Sequence, residues 1–481
     1  MKLRTHIFLC FFLLLITKTT FSQSHFQLEW QYHYTGFVSP LSLHPDNTGL
    51  PYLYVASNEE GLKIMHLNGT LSSVLDTVAL QMSVTNFTQV GHLLYVTLGR
   101  QNSNDPPGLA IVDVTNPAAP VIKNIWVHPL VSGSNGTGVV KIEGNYAYLG
   151  AMKLGLIILD VSNASAIAFV SETPMNINYP VASPNPALEN ARGMEVKNSI
   201  AYVCFDAGGL RIMNCTNKLA PHETGRYANP ITYVPINKPR AYNNIVLNDT
   251  IAYVAVDYCG IEVLKINDTS NITLLDSFNP DNCPTGDWHT SPVHANEIEY
   301  NDNCKEIFVS TGKSEMMSLD VSDPTNIDTI GMYGSLTDTT ATWGIGMRND
   351  SIYLSYLIIP FYISWLHPFD AKWAGVKMVK WLNPCTATNV YEPDGNNLFF
   401  QNEPNPFSGN TEFHFTLKNS SSVKISVYDA LGNIVVVVRE ERMDSGDHYI
   451  SYDASDLKPG IYFCELQADD KKVVKKMVLI K

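Results

Sequence analysis

The chain has 481 residues, 45% of them hydrophobic and only 16% charged, and 32 basic against 46 acidic side chains give a formal charge of −14. This apolar content supports a sizeable core and excludes global disorder, while the acidic balance argues against a nucleic-acid or anionic-membrane binder, which would need concentrated Lys and Arg. Low charge with 24 Tyr and 30 Gly leans toward all-β structure.

Residues 1–22 read as a secretory signal peptide. Lys2 and Arg4 form a basic start, Ile7 to Ile16 is an unbroken apolar run, and small Ser22 precedes a plausible cleavage point. The run is too short to span a bilayer. Its removal takes Lys2, Arg4 and Lys18 with it and leaves a mature charge of −17. No later stretch is long and apolar enough to span, so the mature form is expected not to cross the membrane. Export predicts an oxidising compartment. Seven cysteines follow the signal, an odd count, with Cys204–Cys215 and Cys283–Cys304 as plausible local bridges.

The middle of the chain repeats itself. A short strand carrying an aromatic, a Gly-containing turn, a second apolar strand and a polar stop recur from Leu53, Leu94, Ala147, Ala201, Ala252, Ile307 and Ile352. The anchor aromatics are Tyr54, Tyr95, Tyr148, Tyr202, Tyr253, Phe308 and Tyr353, spaced 41, 53, 54, 51, 55 and 45 residues apart. Turns such as Asp206-Ala-Gly-Gly209 supply left-handed positions, and stops such as Asp113-Val-Thr-Asn-Pro117 end a strand by local side-chain hydrogen bonds and a missing donor. Further strands flank each pair, making about four per unit of about 50 residues. A lone four-stranded sheet cannot bury both faces, but a ring of such sheets can. The reading is all-β: a seven-bladed β-propeller over 23–385, with Phe26–Trp30 supplying a strand that completes the last blade.

These copies resemble the LVIVD repeat family. The resemblance rests on Gly108-Leu-Ala-Ile-Val-Asp-Val-Thr-Asn-Pro117, Gly155-Leu-Ile-Ile-Leu-Asp-Val-Ser162 and Gly209-Leu-Arg-Ile-Met213. It implies an extracytoplasmic propeller and no single activity.

Residues 386–397 are turn-rich and read as a linker. From 398 to 481 six short strands with a different spacing predict a small Ig-like β-sandwich. This segment resembles the type A C-terminal sorting domain of the type IX secretion system of Bacteroidetes. The matching residues are Asn405, Pro406 and Phe407, the Val427–Asn433 stretch with Gly432, the turn at Pro459 and Gly460, and the Lys-rich end with Lys475 and Lys476. The resemblance implies recognition by the type IX machinery. It also implies delivery to the extracellular space or outer-membrane surface.

No strong catalytic motif is present. Asp287-Trp-His289 to Glu297 gathers two His and two acids, but the His-x₄-His spacing does not put both on one face of a strand. No metal or cofactor is therefore expected. Propellers usually bind at the axial mouth, and counting ten residues back from the anchors gives Thr85, Gly138, Arg192, Asn243 and Trp343, with Asn296 in the sixth copy. Arg192, Asn243, His294 and Trp343 are the candidate ligand-binding residues, suited to a polar or sugar-like ligand. The expected function is a secreted binding scaffold for an extracellular protein or glycan rather than an enzyme. The alternative is a secreted propeller hydrolase or lyase acting on extracellular polymer at the mouth.

Overall fold

The computed structural model describes residues 25–34, 41–99, 104–130, 134–181, 189–229, 241–280, 283, 291, 293–335, 340–358, 371, 373–382, 384, 400–405, 407–417, 419–429, 433–469 and 471–480. The chain divides into two units at Leu382. The first consists of seven four-stranded antiparallel sheets. Six are built from consecutive strands, numbered here from the inside outward. Blade 1 is Ser42–Pro45, Tyr52–Ala56, Leu62–His66 and Leu71–Leu75. Blade 2 is Val84–Val90, Leu93–Leu98, Gly108–Asp113 and Val121–Val127. Blade 3 is Val139–Glu143, Tyr146–Gly150, Leu156–Asp160 and Ala168–Thr173. Blade 4 is Gly193–Lys197, Ile200–Cys204, Leu210–Asn214 and His222–Tyr227. Blade 5 is Asn244–Asn248, Ile251–Ala255, Ile261–Lys265 and Thr273–Phe278. Blade 6 is Ile298–Asn301, Glu306–Ser310, Met316–Asp320 and Asp328–Tyr333.

The seventh blade joins the two ends of the ring. Thr342–Arg348, Ser351–Tyr356 and Gly375–Trp381 are its inner three strands, and Phe26–His33 is the outermost. Phe26 pairs with Trp381 and His33 with Gly375. The apolar run Pro360–Leu366 that followed the last anchor in the sequence lies outside the described residues. The blade's third strand comes later, where Gly375-Val-Lys-Met-Val restores the glycine-then-apolar pattern of the other copies.

Equivalent residues occupy equivalent places. All seven anchors sit on second strands and are buried. Each of the first six faces the middle residue of its third strand: Tyr54 opposite Ile64, Tyr95 opposite Ile111, Tyr202 opposite Ile212, Tyr253 opposite Val263. A bulge follows that middle residue in every one of these blades, as at Ile111/Val112 and Ile212/Met213. The extra residue bends the outer strand and increases its twist, which a radial sheet needs. Near the axis the inner strands crowd together, and a Cβ on Gly193 would lie 2.3 Å from the Asn243 carbonyl of the next blade. Glycine there sets the closeness of the blades.

Two of the expected disulfides are corrected. Cys204 and Cys215 are both free and buried. Cys204 pairs with Leu210 at one end of its hairpin, and Cys215 follows Asn214 at the other. Five strand residues separate them by roughly 16 Å, far beyond disulfide reach. Cys283 bonds Cys259 instead of Cys304. Cys259 lies in a turn between second and third strands, on the same face as the connector holding Cys283. Cys304, itself disulfide-bonded, lies in the first turn of blade 6, on the opposite face. Burial pushes the Cys215 thiol up to about 11 and that of Cys464 up to about 12, and it raises Cys204 as well. Iodoacetamide at pH 8 should therefore label Cys204, Cys215 and Cys464 only in denaturant, as peptide mapping would show. Labelling of the native protein at any of the three would contradict this packing.

The second unit holds two sheets. One is Phe400–Glu403, Asn410–Leu417 and Gly446–Asp453; the other is Ile434–Met443, Ser421–Tyr428, Gly460–Ala468 and Lys471–Leu479, in that spatial order. They share one core around Phe407, Phe413, Phe415, Ile425, Val427, Leu466 and Met477, a small sandwich.

Candidate functional site

The propeller's upper face is taken as the one carrying the turns between second and third strands. Inner strands start there. A left-handed residue opens that turn in five blades: Asn58 (φ 42°), Met152 (46°), Asp206 (50°), Asp257 (42°) and Gly312 (66°). Its carbonyl accepts a backbone N–H from the start of the next blade: Val84, Ala191, Tyr242, Ala295 and Thr342, at 2.9–3.2 Å. Side chains add to this ring of ties. Thr85 Oγ1 donates to the Thr137 carbonyl, Asn243 Nδ2 to that of Ala295 and Asn296 Nδ2 to that of Thr342.

The sequence-derived mouth residues all stand at this level. Arg192 precedes its inner strand, and its Nε donates to Asp206 Oδ2 at 3.1 Å. The same oxygen accepts from Asn190 Nδ2 at 3.0 Å, and Asn190 Oδ1 accepts from Asn135. Burial raises the Asp206 carboxyl, against the pull of Arg192. His294 is fully buried and its Nδ1 lies 2.6 Å from Asp257 Oδ1. Asp206 also feels the charge of Asp257, so Arg192, Asn243 and His294 belong to one arc across blades 4 to 6. Trp343 follows on blade 7, half-buried against Leu41, Ala341, Leu357 and Ala371, and its carbonyl accepts from Ser310 Oγ of blade 6. Asp287 and His289 lie outside the described residues.

A second constellation lies deeper, in the axial channel, and the ten-residue count passes over it. The inner-strand residues opposite the anchors are His44, Thr88, Lys141, Glu195, Val246, Glu299 and Gly346, and the charged ones pair between blades. Lys141 Nζ meets Glu195 Oε1 at 2.6 Å, and His44 Nδ1 meets Glu299 Oε1 at 3.2 Å. Burial alone would lower the ammonium and the imidazolium, but Glu195 and Glu299 outweigh it and hold both above their ordinary values. Glu297, just above this belt, accepts the Ile345 N–H at 3.2 Å. Burial pushes its carboxyl up to about 7, with His44 opposing. Among the described residues, no three His, Cys, Asp or Glu side chains are grouped to hold a metal ion.

Two further carboxyls are raised by burial, Glu189 to about 8 and Glu306 to about 7. The fold therefore keeps protons that the unfolded chain releases near pH 4.5. Their contribution to stability is complete below that pH and is lost as pH rises through 7 and 8. The melting temperature is expected to fall from pH 5.5 to 8.5, and Glu306→Gln to flatten that fall. A Glu306→Gln profile parallel to the wild type would contradict the assignment.

Residues 105–127 and 136–173 match the LVIVD repeat family, and 404–481 match a secretion system C-terminal sorting domain. The chain carries LVIVD repeats and a sorting domain. The LVIVD match falls on blades 2 and 3, where the glycine-led third strands Gly108–Asp113 and Leu156–Asp160 lie. No curated protein matches the chain significantly. Among solved structures, a chain of a mitotic checkpoint complex covers 73% of this chain and 96% of its own length, with a TM-score of 0.50 and 10% identity. The RRP9 WD40 repeats cover 74% and 97%, with a TM-score of 0.54 and 7% identity. At these identities the likeness shows the fold alone, a β-propeller.

In the sorting domain, Asn405 and Phe407 are bound to the final strand. Asn405 Oδ1 accepts the Val478 N–H at 2.8 Å, Phe407 N–H donates to the Val478 carbonyl, and Ile480 N–H to that of Phe407. Gly460 opens a strand after the turn at Pro459, and Lys475 and Lys476 pair with Cys464 and Phe463. Pro406 and Gly432 lie outside the described residues. The sorting domain implies interaction with the type IX secretion machinery and export to the cell surface or extracellular space. Among the described residues, no helix is long and apolar enough to cross a membrane.

Proposed function

We propose that the propeller is a secreted binding scaffold that takes an extracellular protein or glycan at its upper mouth, where Arg192, Asn243, the buried His294 and Trp343 stand on successive blades 4 to 7. A signal peptide at 1–22 would start the export that the sorting domain completes. The observation that supports a binding role is the commitment of the mouth's acids. Asp206 is held by Arg192 and Asn190, and Asp257 by His294. Such a rim is held in place by its own hydrogen bonds, which favours recognition over proton transfer. Screening the secreted protein against extracellular proteins and a glycan array tests this. Arg192→Ala with His294→Ala should abolish the strongest hit while folding persists. A hit untouched by the double variant would move binding away from the mouth.

A second reading, a hydrolase or lyase acting on extracellular polymer, is favoured by Glu297. Its carboxyl titrates near neutrality beside His44, as a general acid or base should. Polymer turnover that disappears in Glu297→Gln would establish it.

A further inference from the structure

We propose that the outer rim of blades 2 and 3 carries a second binding site, an aromatic shelf for a neutral polysaccharide chain. Trp126 on the outer strand of blade 2 and Phe169 on that of blade 3 stack across the cleft between the blades, with centroids 6.4 Å apart and planes 16° from parallel. Phe169 is 51% exposed, and Val127 and Leu130, near Trp126 in the chain, are also exposed. Trp126 is partly buried against the core between the two blades and backs the half-exposed Phe169, whose exposed ring surface matches the C–H face of a pyranose ring.

The shelf is held in position. His128, buried beneath it, meets both rings edge-on. Its Nδ1 accepts the Leu130 N–H at 3.1 Å, so Nε2 carries the proton and donates to Glu172 at 3.0 Å. Asn124 Nδ2 ties the two outer strands through the Ser165 carbonyl at 2.9 Å. The Trp126 indole N–H makes no hydrogen bond among the described residues, leaving a donor for a sugar hydroxyl, and Glu172 is a partly exposed acceptor beside it. Charge selects the class of glycan. A chain of formal charge −14 repels polyanions, and the shelf itself presents no cation to offset this. A neutral polymer meets no such penalty. The site is independent of the mouth.

Native affinity electrophoresis of the full secreted protein tests the proposal. The gels would contain xyloglucan, mixed-linkage β-glucan, galactomannan or, as the anionic control, pectate. At least one neutral polymer should retard the wild type, and pectate should not. Phe169→Ala should weaken that retardation by roughly tenfold, about the effect of one stacked ring. Trp126→Phe, which keeps a ring and loses the donor, should fall between. Glu29→Ala, at the exposed bulge of distant blade 7, should leave it unchanged. Phe169 is half exposed, so its variant should fold, and an unchanged melting temperature verifies that. Absence of retardation by every neutral polymer would overturn the proposal. So would retardation lost in Arg192→Ala and kept in Phe169→Ala. A wild-type dimer that Phe169→Ala dissociates in light scattering, with no retardation, would assign the shelf to a second copy of the chain instead.

Discussion

Deletion of residues 398–481 is expected to abolish export, leaving a folded propeller inside the outer membrane. The sorting module is the part of the chain that implies recognition by the secretion machinery, and the propeller has its own closed set of sheets. Immunoblotting of cell fractions and medium reads the result directly. A single substitution should do nearly the same. Phe407 is buried in the small sandwich, and the backbone on either side of it is bonded to the last strand. Phe407→Ala removes a core aromatic, a loss of about 3–5 kcal/mol. A module of this size has little stability beyond that. Full export of either variant would contradict a sorting role for this unit.

The second large effect is expected at the ring's closure. Residues 26–33 are distant in sequence from blade 7 yet supply its outer strand. Phe26 is buried, edge-on to Phe308 of blade 6. Trp381, its cross-strand partner, meets the same Phe308 at 4.9 Å. Phe26 thus contributes both to the last sheet and to its packing on the neighbouring blade. Phe26→Ala should cost about 3–5 kcal/mol. Removal of residues 26–33 exposes the Gly375–Trp381 edge and should lower the melting temperature by more than 10 °C, about the effect expected from several kcal/mol. Glu29 sits at the bulge between Leu28 and Trp30, is exposed and outside the register, and Glu29→Ala should change nothing. Calorimetry of the three variants checks all of this, and an unchanged transition in the truncated chain would refute closure by this strand.

Much of the fold was legible because the repeat is written in packing residues. The anchor aromatics pair in the same way with their third strands in the first six blades, and glycine leads the third strand in every blade but the sixth, where Glu315 stands, so the anchor spacing alone counted the blades. The last blade was less legible, because its third strand is displaced to Gly375–Trp381 and its fourth comes from the other end of the chain. Disulfide pairing failed for a topological reason. Nearness in sequence placed Cys204 and Cys215 on one hairpin, but strand direction sends them to opposite faces. The mouth residues were found by a ten-residue count, which reaches the start of the inner strand. The charged belt lies closer to the anchor. Across a two-residue turn, strands pair residue i with i+7, and seven residues before Tyr148 and Tyr202 are Lys141 and Glu195. The pairing of those charges between blades has no local sequence pattern, since it arises only when the ring closes.

The most direct test of that closure is a cross-link in register. Gln27 faces Lys380 across the joint between the two ends of the propeller. A Gln27→Cys, Lys380→Cys double variant should form an intramolecular disulfide in the exported protein, seen as a linked peptide pair under non-reducing conditions. Gln27→Cys linked to any other residue, or both thiols left free in the folded protein, would mean that the ring is not closed by its N-terminal strand.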